Sequence, residues 1–209
     1  MTQEQYGMWL CSIEGIGSQT IRKLINRFGT PEEVYTRTEE QLKEAEIGDR
    51  ERKLLINGKR QFHYRAMKQK ISSYDMDVIS YFSERYPEKL RHIPDFPKRL
   101  YWRGKLPREE LQIAIVGARN CSHYDREMAR RFAYELSGSE IGVISGMARG
   151  IDGWAHQGAL EAGGNTYAIL GNSAEICYRL GGQQLLQLVY SFQFLHPYIL
   201  LKIPNKIKY

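Results

Sequence analysis

The sequence predicts an α/β fold in which a Rossmann-like parallel-sheet domain is preceded by a small helical domain of the helix-hairpin-helix, or SAM-like, kind. Three observations carry this. Helix start and stop signals crowd residues 6–71; apolar runs of strand length follow at 113–116, 142–144 and 166–170; and amphipathic helical patterns separate those runs. Strands alternating with helices in this way form a parallel sheet with right-handed crossovers. The expected division is residues 1–72 helical, 73–178 Rossmann-like but incomplete, and 179–209 an atypical tail outside that fold.

In the first segment, Thr30-Pro31-Glu32-Glu33 reads as a capping box with proline at the first helical position, and Thr38 with Gln41 repeats the logic. Between Leu10 and Leu24, Gly15 and Gly17 let the backbone turn sharply between two helices. Such a hairpin either points the N–H groups of its second helix at a DNA phosphate or serves packing alone. From Asp77 the pattern changes to a strand over 77–81, followed by a stretch punctuated by Pro87, Pro94 and Pro97. A domain boundary near residue 72 accounts for the change.

The first crossover helix begins at Ser122 with Asp125 three residues on. Tyr124, Met128, Ala129, Phe132, Ala133 and Leu136 share one face and are expected on the sheet, while Arg126, Glu127 and Arg130 form a solvated face. The second, over 151–162, is expected to bury Ala155 and Ala159 and to stop at Gly163-Gly164.

Composition narrows the function classes. The 209 residues are 42% hydrophobic and 26% charged, ordinary for a globular protein. The N-terminal residues lack the positive start and apolar block of a secretory signal, so a cytoplasmic protein is expected. Cys11, Cys121 and Cys177 are too few and too far apart for a disulfide framework or a CxxC metal site. The net charge of +6 is misleading as a DNA signal, because residues 179–209 hold four basic residues and no acidic one, leaving 26 basic against 24 acidic over 1–178. Convergence of particular arginines on a phosphate matters more than the total.

Ligands of open parallel sheets bind beyond the carboxyl ends of the strands, where loops enter helix N-termini. Two such loops stand out. In Val116-Gly117-Ala118-Arg119-Asn120-Cys121-Ser122, Gly117 removes a side chain at the strand tip and Arg119 offers a fork of donors to a phosphate. In Ser145-Gly146-Met147-Ala148-Arg149-Gly150-Ile151-Asp152, Gly146 and Gly150 free the backbone to curl round an anion, Ser145 adds a hydroxyl and Arg149 a second guanidinium. Neither loop is GxGxxG and no Walker loop is present, which disfavours an NAD enzyme or a P-loop NTPase. No cofactor and no catalytic constellation is expected. His156, four residues after Asp152, is expected to lock its helix through a side-chain hydrogen bond, and His63, His92, His123 and His196 have no companions at metal-ligand spacing.

The strings YPEKLRHIPDFPKRLYWRGKL, IAIVGAR with Ser122 and Tyr124, and VISGMARGIDGWAHQGALEAGGNTYAILG closely resemble the DprA/Smf family of DNA processing proteins over residues 1–178. The resemblance implies a non-enzymatic protein that binds and protects single-stranded DNA during natural transformation and helps load RecA recombinase. It also implies a homodimer, a DNA phosphate contact at Arg119, and a pocket lined by Ser145 and Gly146. Where the family has glycine after the tyrosine of the first crossover helix, this chain has Asp125. After Tyr178 the family's further strand and arginine-rich segment give way to an unrelated tail, which is expected not to complete the sheet and puts the dimer in question. Its apolar stretch, 185–203, is interrupted by Gln187, Gln193, His196 and Pro197, so no membrane anchor is expected. The alternatives are a phosphate-binding enzyme of the related group that cleaves nucleoside monophosphates, which needs a carboxylate that neither loop offers as glutamate, and a nonfunctional fragment.

Overall fold

The computed structural model describes residues 1–73, 76–102, 106 and 111–170 and the strand at 200–202. The chain divides into two compact units, Met1–Leu100 and Tyr101–Tyr209.

The first unit is built on helices α1 (Gln3–Ser12), α2 (Ser18–Phe28), α3 (Pro31–Thr36), α4 (Asp49–Gln61) and α5 (Tyr64–Ser72). Local caps set their ends. Thr2 and Gln5 form a capping box on α1, and Thr30 accepts from the Glu33 N–H with Pro31 opening α3. The Thr38–Gln41 box forms reciprocally, at 3.0 and 3.3 Å, but starts a 3₁₀ turn (Gln41–Ala45) that ends at Glu46 in the left-handed region. Trp9, Leu10, Ile21, Leu24, Val34, Leu42 and Leu55 form the core.

This unit continues well past the boundary expected near residue 72. Phe96 belongs to the helical core and stacks on Tyr81 at 3.9 Å between ring centroids. Strand β1 (Asp77–Ser80) is followed by the Tyr81 N–H bonding to the Lys98 carbonyl, and Arg91, from the short α6 (Glu88–Arg91), donates to the Tyr81 and Ser83 carbonyls. Apolar burial of Phe96 therefore ties the proline-rich stretch to the helices rather than to the sheet domain.

In the second unit, β3 (Gln112–Ala114), β4 (Gly142–Ser145) and β5 (Thr166–Leu170) pair in parallel, with Ile113 beside Val143 and Val143 beside Thr166. Strand β2 (Arg99–Trp102) reaches it through Tyr101. The crossover helices α7 (His123–Gly138) and α8 (Ile151–Glu161) pack closely: a Cβ on Gly158 would lie 2.0 Å from the Arg130 carbonyl oxygen. That closeness corrects the expected packing face of α7. Ala129, Ala133 and Ser137 are buried, whereas Tyr124 and Phe132 are 70% and 57% exposed, because only small side chains fit where α8 approaches. Phe132, Leu136 and Ile115 instead line an open groove of about 420 Å³.

The tail also departs from expectation. Strand β6 (Leu200–Lys202) pairs in parallel with β5 and meets Tyr101 of β2 antiparallel. Backbone groups on the far edge of β5 need partners, and the extended segment Leu200–Lys202 supplies them. The remainder of the tail, with its glutamines, His196 and Pro197, lies outside the described residues, as does Cys177. No helix among the described residues is long and apolar enough to cross a membrane.

Candidate phosphate site at the strand ends

The β3–α7 and β4–α8 loops meet beyond the carboxyl ends of their strands. The Ile151 N–H bonds to the Ala118 carbonyl at 3.2 Å. Gly150 has φ +95°, and a Cβ there would lie 2.3 Å from the Ala118 oxygen and 2.6 Å from the Arg119 oxygen. Glycine is required twice over at that position, by backbone angle and by space. Gly117 packs equally tightly, with its Cβ position 2.8 Å from the Ile151 side chain.

Asp152 holds the two loops together. Its carboxylate is buried and accepts the Gly117 N–H at 3.3 Å and the Ala148 N–H at 3.4 Å. A Cβ on Gly146 would sit 2.8 Å from the same carboxylate. The sequence pairs Asp152 with His156; the structure gives it this loop-bridging role instead. An acidic residue in the first turn of a helix is the signal that was available.

The candidate residues therefore separate. The Ser145 hydroxyl is 2% exposed and donates to the Ile115 carbonyl at 2.5 Å, so it fastens β4 to the first loop. Ser122 caps α7: its hydroxyl donates to Asp125 at 2.8 Å and accepts the Asp125 N–H at 3.2 Å, while its own N–H donates back at 2.9 Å. Those donors hold the exposed Asp125 carboxyl below the usual aspartate range. Gly117 and Gly150 serve close packing, and Gly146 lies exposed at the strand tip. Arg119 and Arg149 stand apart from all of these. Both are exposed, and neither has a hydrogen-bond or ion-pair partner among the described residues. Arg130, by contrast, is taken up by Glu161 at 2.7 Å and Glu127 at 3.3 Å.

His156 lies deeper on α8. Thr166 donates its hydroxyl to the Val143 carbonyl at 3.1 Å, so it accepts from His156 Nδ1 at 2.7 Å, and the ring is the Nδ1–H tautomer. Nε2 is buried without a partner, and burial lowers the ring's pKa to about 4. The ring locks α8 to β5 as a neutral group.

The glycine hairpin of the first unit is occupied from within. Lys98 donates to the Ile13 and Ile16 carbonyls that flank Gly15, and Ser18, at the start of α2, donates to Asp95 at 2.5 Å. Gln19 and Arg22 donate to the Pro94 and Ile93 carbonyls. Gly15 and Gly17 thus sit at a corner onto which residues 93–98 fold, with the Asp95 carboxylate at the start of α2. Among the described residues, no group of three or more His, Cys, Asp or Glu side chains could hold a metal ion.

Residues 77–196 match the family described as DNA recombination-mediator protein A. Protein Smf of Escherichia coli is 41% identical over 91 residues, which are 43% of this chain and 24% of that protein. The DNA processing protein DprA of Streptococcus pneumoniae is 33% identical over 108 residues, 51% of this chain and 38% of its own length. Protein Smf of Synechocystis is 25% identical over 195 residues, 90% of this chain and 49% of that protein. The chain thus spans half the length of these relatives or less. The crystal structure of the S. pneumoniae DNA processing protein A shares the fold, with a TM-score of 0.73, 21% identity, and coverage of 99% of this chain and 70% of that one. The family match takes in β1 to β5 and the two joined loops, and the chain belongs to the DNA recombination-mediator protein A family.

Proposed function

We propose that this protein binds single-stranded DNA as a non-enzymatic recombination mediator, gripping the phosphate backbone with Arg119 and Arg149. The observation that carries the reading is the pair of adjoining strand-end loops, fixed by Asp152, from which two unpartnered guanidiniums project. Guanidinium forks suit phosphate oxygens, and phosphates carry no base code, so binding is general in sequence. The names of the relatives, which speak of DNA processing, agree with this. Protection of incoming strands, RecA loading, a homodimer and a cytoplasmic location complete the reading; they rest on the family resemblance.

The test is binding of a labelled single-stranded oligonucleotide across salt concentrations. Arg119→Ala and Arg149→Ala should each weaken binding equally for different sequences and make the salt slope shallower by about 0.7. Unchanged affinity at low salt in both variants would remove the loops from the site. The competing nucleoside-monophosphate-cleaving enzyme needs a carboxylate beside the sugar, and the Asp152 oxygens already accept two backbone N–H groups. Release of free base from AMP by the purified protein would nevertheless overturn the mediator reading.

A further inference from the structure

The positive charge of this chain is concentrated outside the loops just described. Residues 49–72, which form α4 and α5, hold eight basic side chains against two acidic, whereas residues 1–48 hold five against eight and residues 101–178 eight against nine. Seven of these eight cations, Lys70 aside, fall into two sets. Arg52 is bound by Asp49 and the Ile47 carbonyl, Lys59 by the Arg37 carbonyl and Lys68 by Asp77. Arg50, Lys53, Arg60 and Arg65 are exposed and have no partner among the described residues.

The unpartnered set is also aligned. Arg50, Lys53, Asn57 and Arg60 follow one another at spacings of three, four and three, and all four are exposed, so they form one stripe along α4. Leu55, the buried residue of α4, holds the opposite side against the helical core. At a rise of about 1.5 Å per residue the stripe is roughly 15 Å long. Arg65, in the first turn of α5, is exposed as well, as is His63 before it. Like charges set one turn apart on a helix repel, and none of these cations forms an ion pair among the described residues. An external polyanion with regularly spaced charges would.

We infer that the exposed face of α4, with Arg50, Lys53, Arg60 and Arg65, is a second DNA-contacting surface that takes the phosphate backbone and is separate from the strand-end loops. Asn57 adds a neutral donor of the kind that accompanies phosphate contacts. The choice of DNA over another polyanion rests on the function proposed above; the surface itself rests on the helical unit alone.

The experiment uses the full chain and fluorescence anisotropy with a thymidine homopolymer and, separately, a duplex, between roughly 50 and 200 mM salt. The four-site variant R50Q/K53Q/R60Q/R65Q replaces only exposed side chains, and circular dichroism verifies that it remains folded. For single strands its salt slope should be shallower than that of the parent by about 3, with affinity at low salt reduced about tenfold or more. A comparable loss with the duplex alone would assign the surface to double-stranded DNA backbone. Substituting Arg27 and Lys43, which already pair with Glu44 and Glu40, should leave the slope unchanged. An unchanged slope in a folded four-site variant overturns the inference and leaves the Arg119 reading standing. Loss in the four-site variant with none in the two loop variants does the reverse. Binding to phosphatidylserine vesicles with none to either oligonucleotide would overturn both.

Discussion

Acidification should loosen the second unit through His156. The ring is 3% exposed, its Nε2 has no partner among the described residues, and burial holds its folded pKa at about 4, well below the 6.5 of an ordinary histidine. Burial is the larger cause, and the nearby Asp152 opposes it. Because the folded pKa is the lower one, the unfolded chain binds a proton between pH 6.5 and 4 that the folded chain refuses. Stability is therefore full above pH 6.5 and falls as the pH drops through that window. At about 1.4 kcal/mol per unit, the loss approaches roughly 3 kcal/mol near pH 4. Urea unfolding followed by circular dichroism at a series of pH values measures it. His156→Gln keeps a hydrogen-bonding side chain without a titrating ring; it should start less stable but show a flatter profile. If the variant and the parent lost stability in parallel between pH 6.5 and 4, the buried neutral ring would not be the cause.

Three further outcomes follow from packing and caps. Gly158→Ala places a methyl group against the Arg130 carbonyl and should destabilise by about 3 kcal/mol, read as a lowered melting temperature. Ser122→Ala removes the cap of α7 at a cost of about 1 kcal/mol in thermal unfolding. NMR titration of that variant should show Asp125 moving part of the way up towards the ordinary range, since the hydroxyl is one of the two donors that lower it. Lys98→Met strips the donors from the Ile13 and Ile16 carbonyls and should lower the urea midpoint by an amount equivalent to about 2 kcal/mol.

What could be read from the sequence was local. Thr30-Pro31 and Ser122-Asp125 announced helix starts because a cap needs only residues three apart, and both caps form. The three apolar runs announced parallel strands because buried strands read as continuous apolar segments, and all three pair in parallel. What was not legible depends on distance in space. Helical periodicity groups Tyr124, Phe132 and Ala133 on one side of α7, but only the approach of α8 at Gly158 decides that the alanine is inside and the rings are outside. The Ser145 and Asp152 side chains look like ligand groups in a glycine-rich loop, yet their partners lie 30 and 35 residues away in the other loop. For the helical hairpin the sequence leaves DNA contact and packing both open, because residues 93–98, which fold onto it, are some 80 positions further along. Arg119 and Arg149 stand out in the sequence as the arginines of the two loops, and both are exposed with no partner among the described residues.

The Asp152 bridge has a consequence for how quickly and how tightly a ligand is held. A carboxylate already seated between the two loops takes up the Gly117 and Ala148 N–H groups, so the loops are fixed to each other when the chain folds. Little conformational freedom is then left to be lost on binding, which favours capture without rearrangement. If Arg119 and Arg149 take phosphate as proposed, encounter is governed by long-range attraction and residence by the number of guanidiniums in register. Under that proposal grip strength is uncoupled from loop architecture, and Arg119 and Arg149 can be substituted while the Asp152 bridge beneath them keeps its shape.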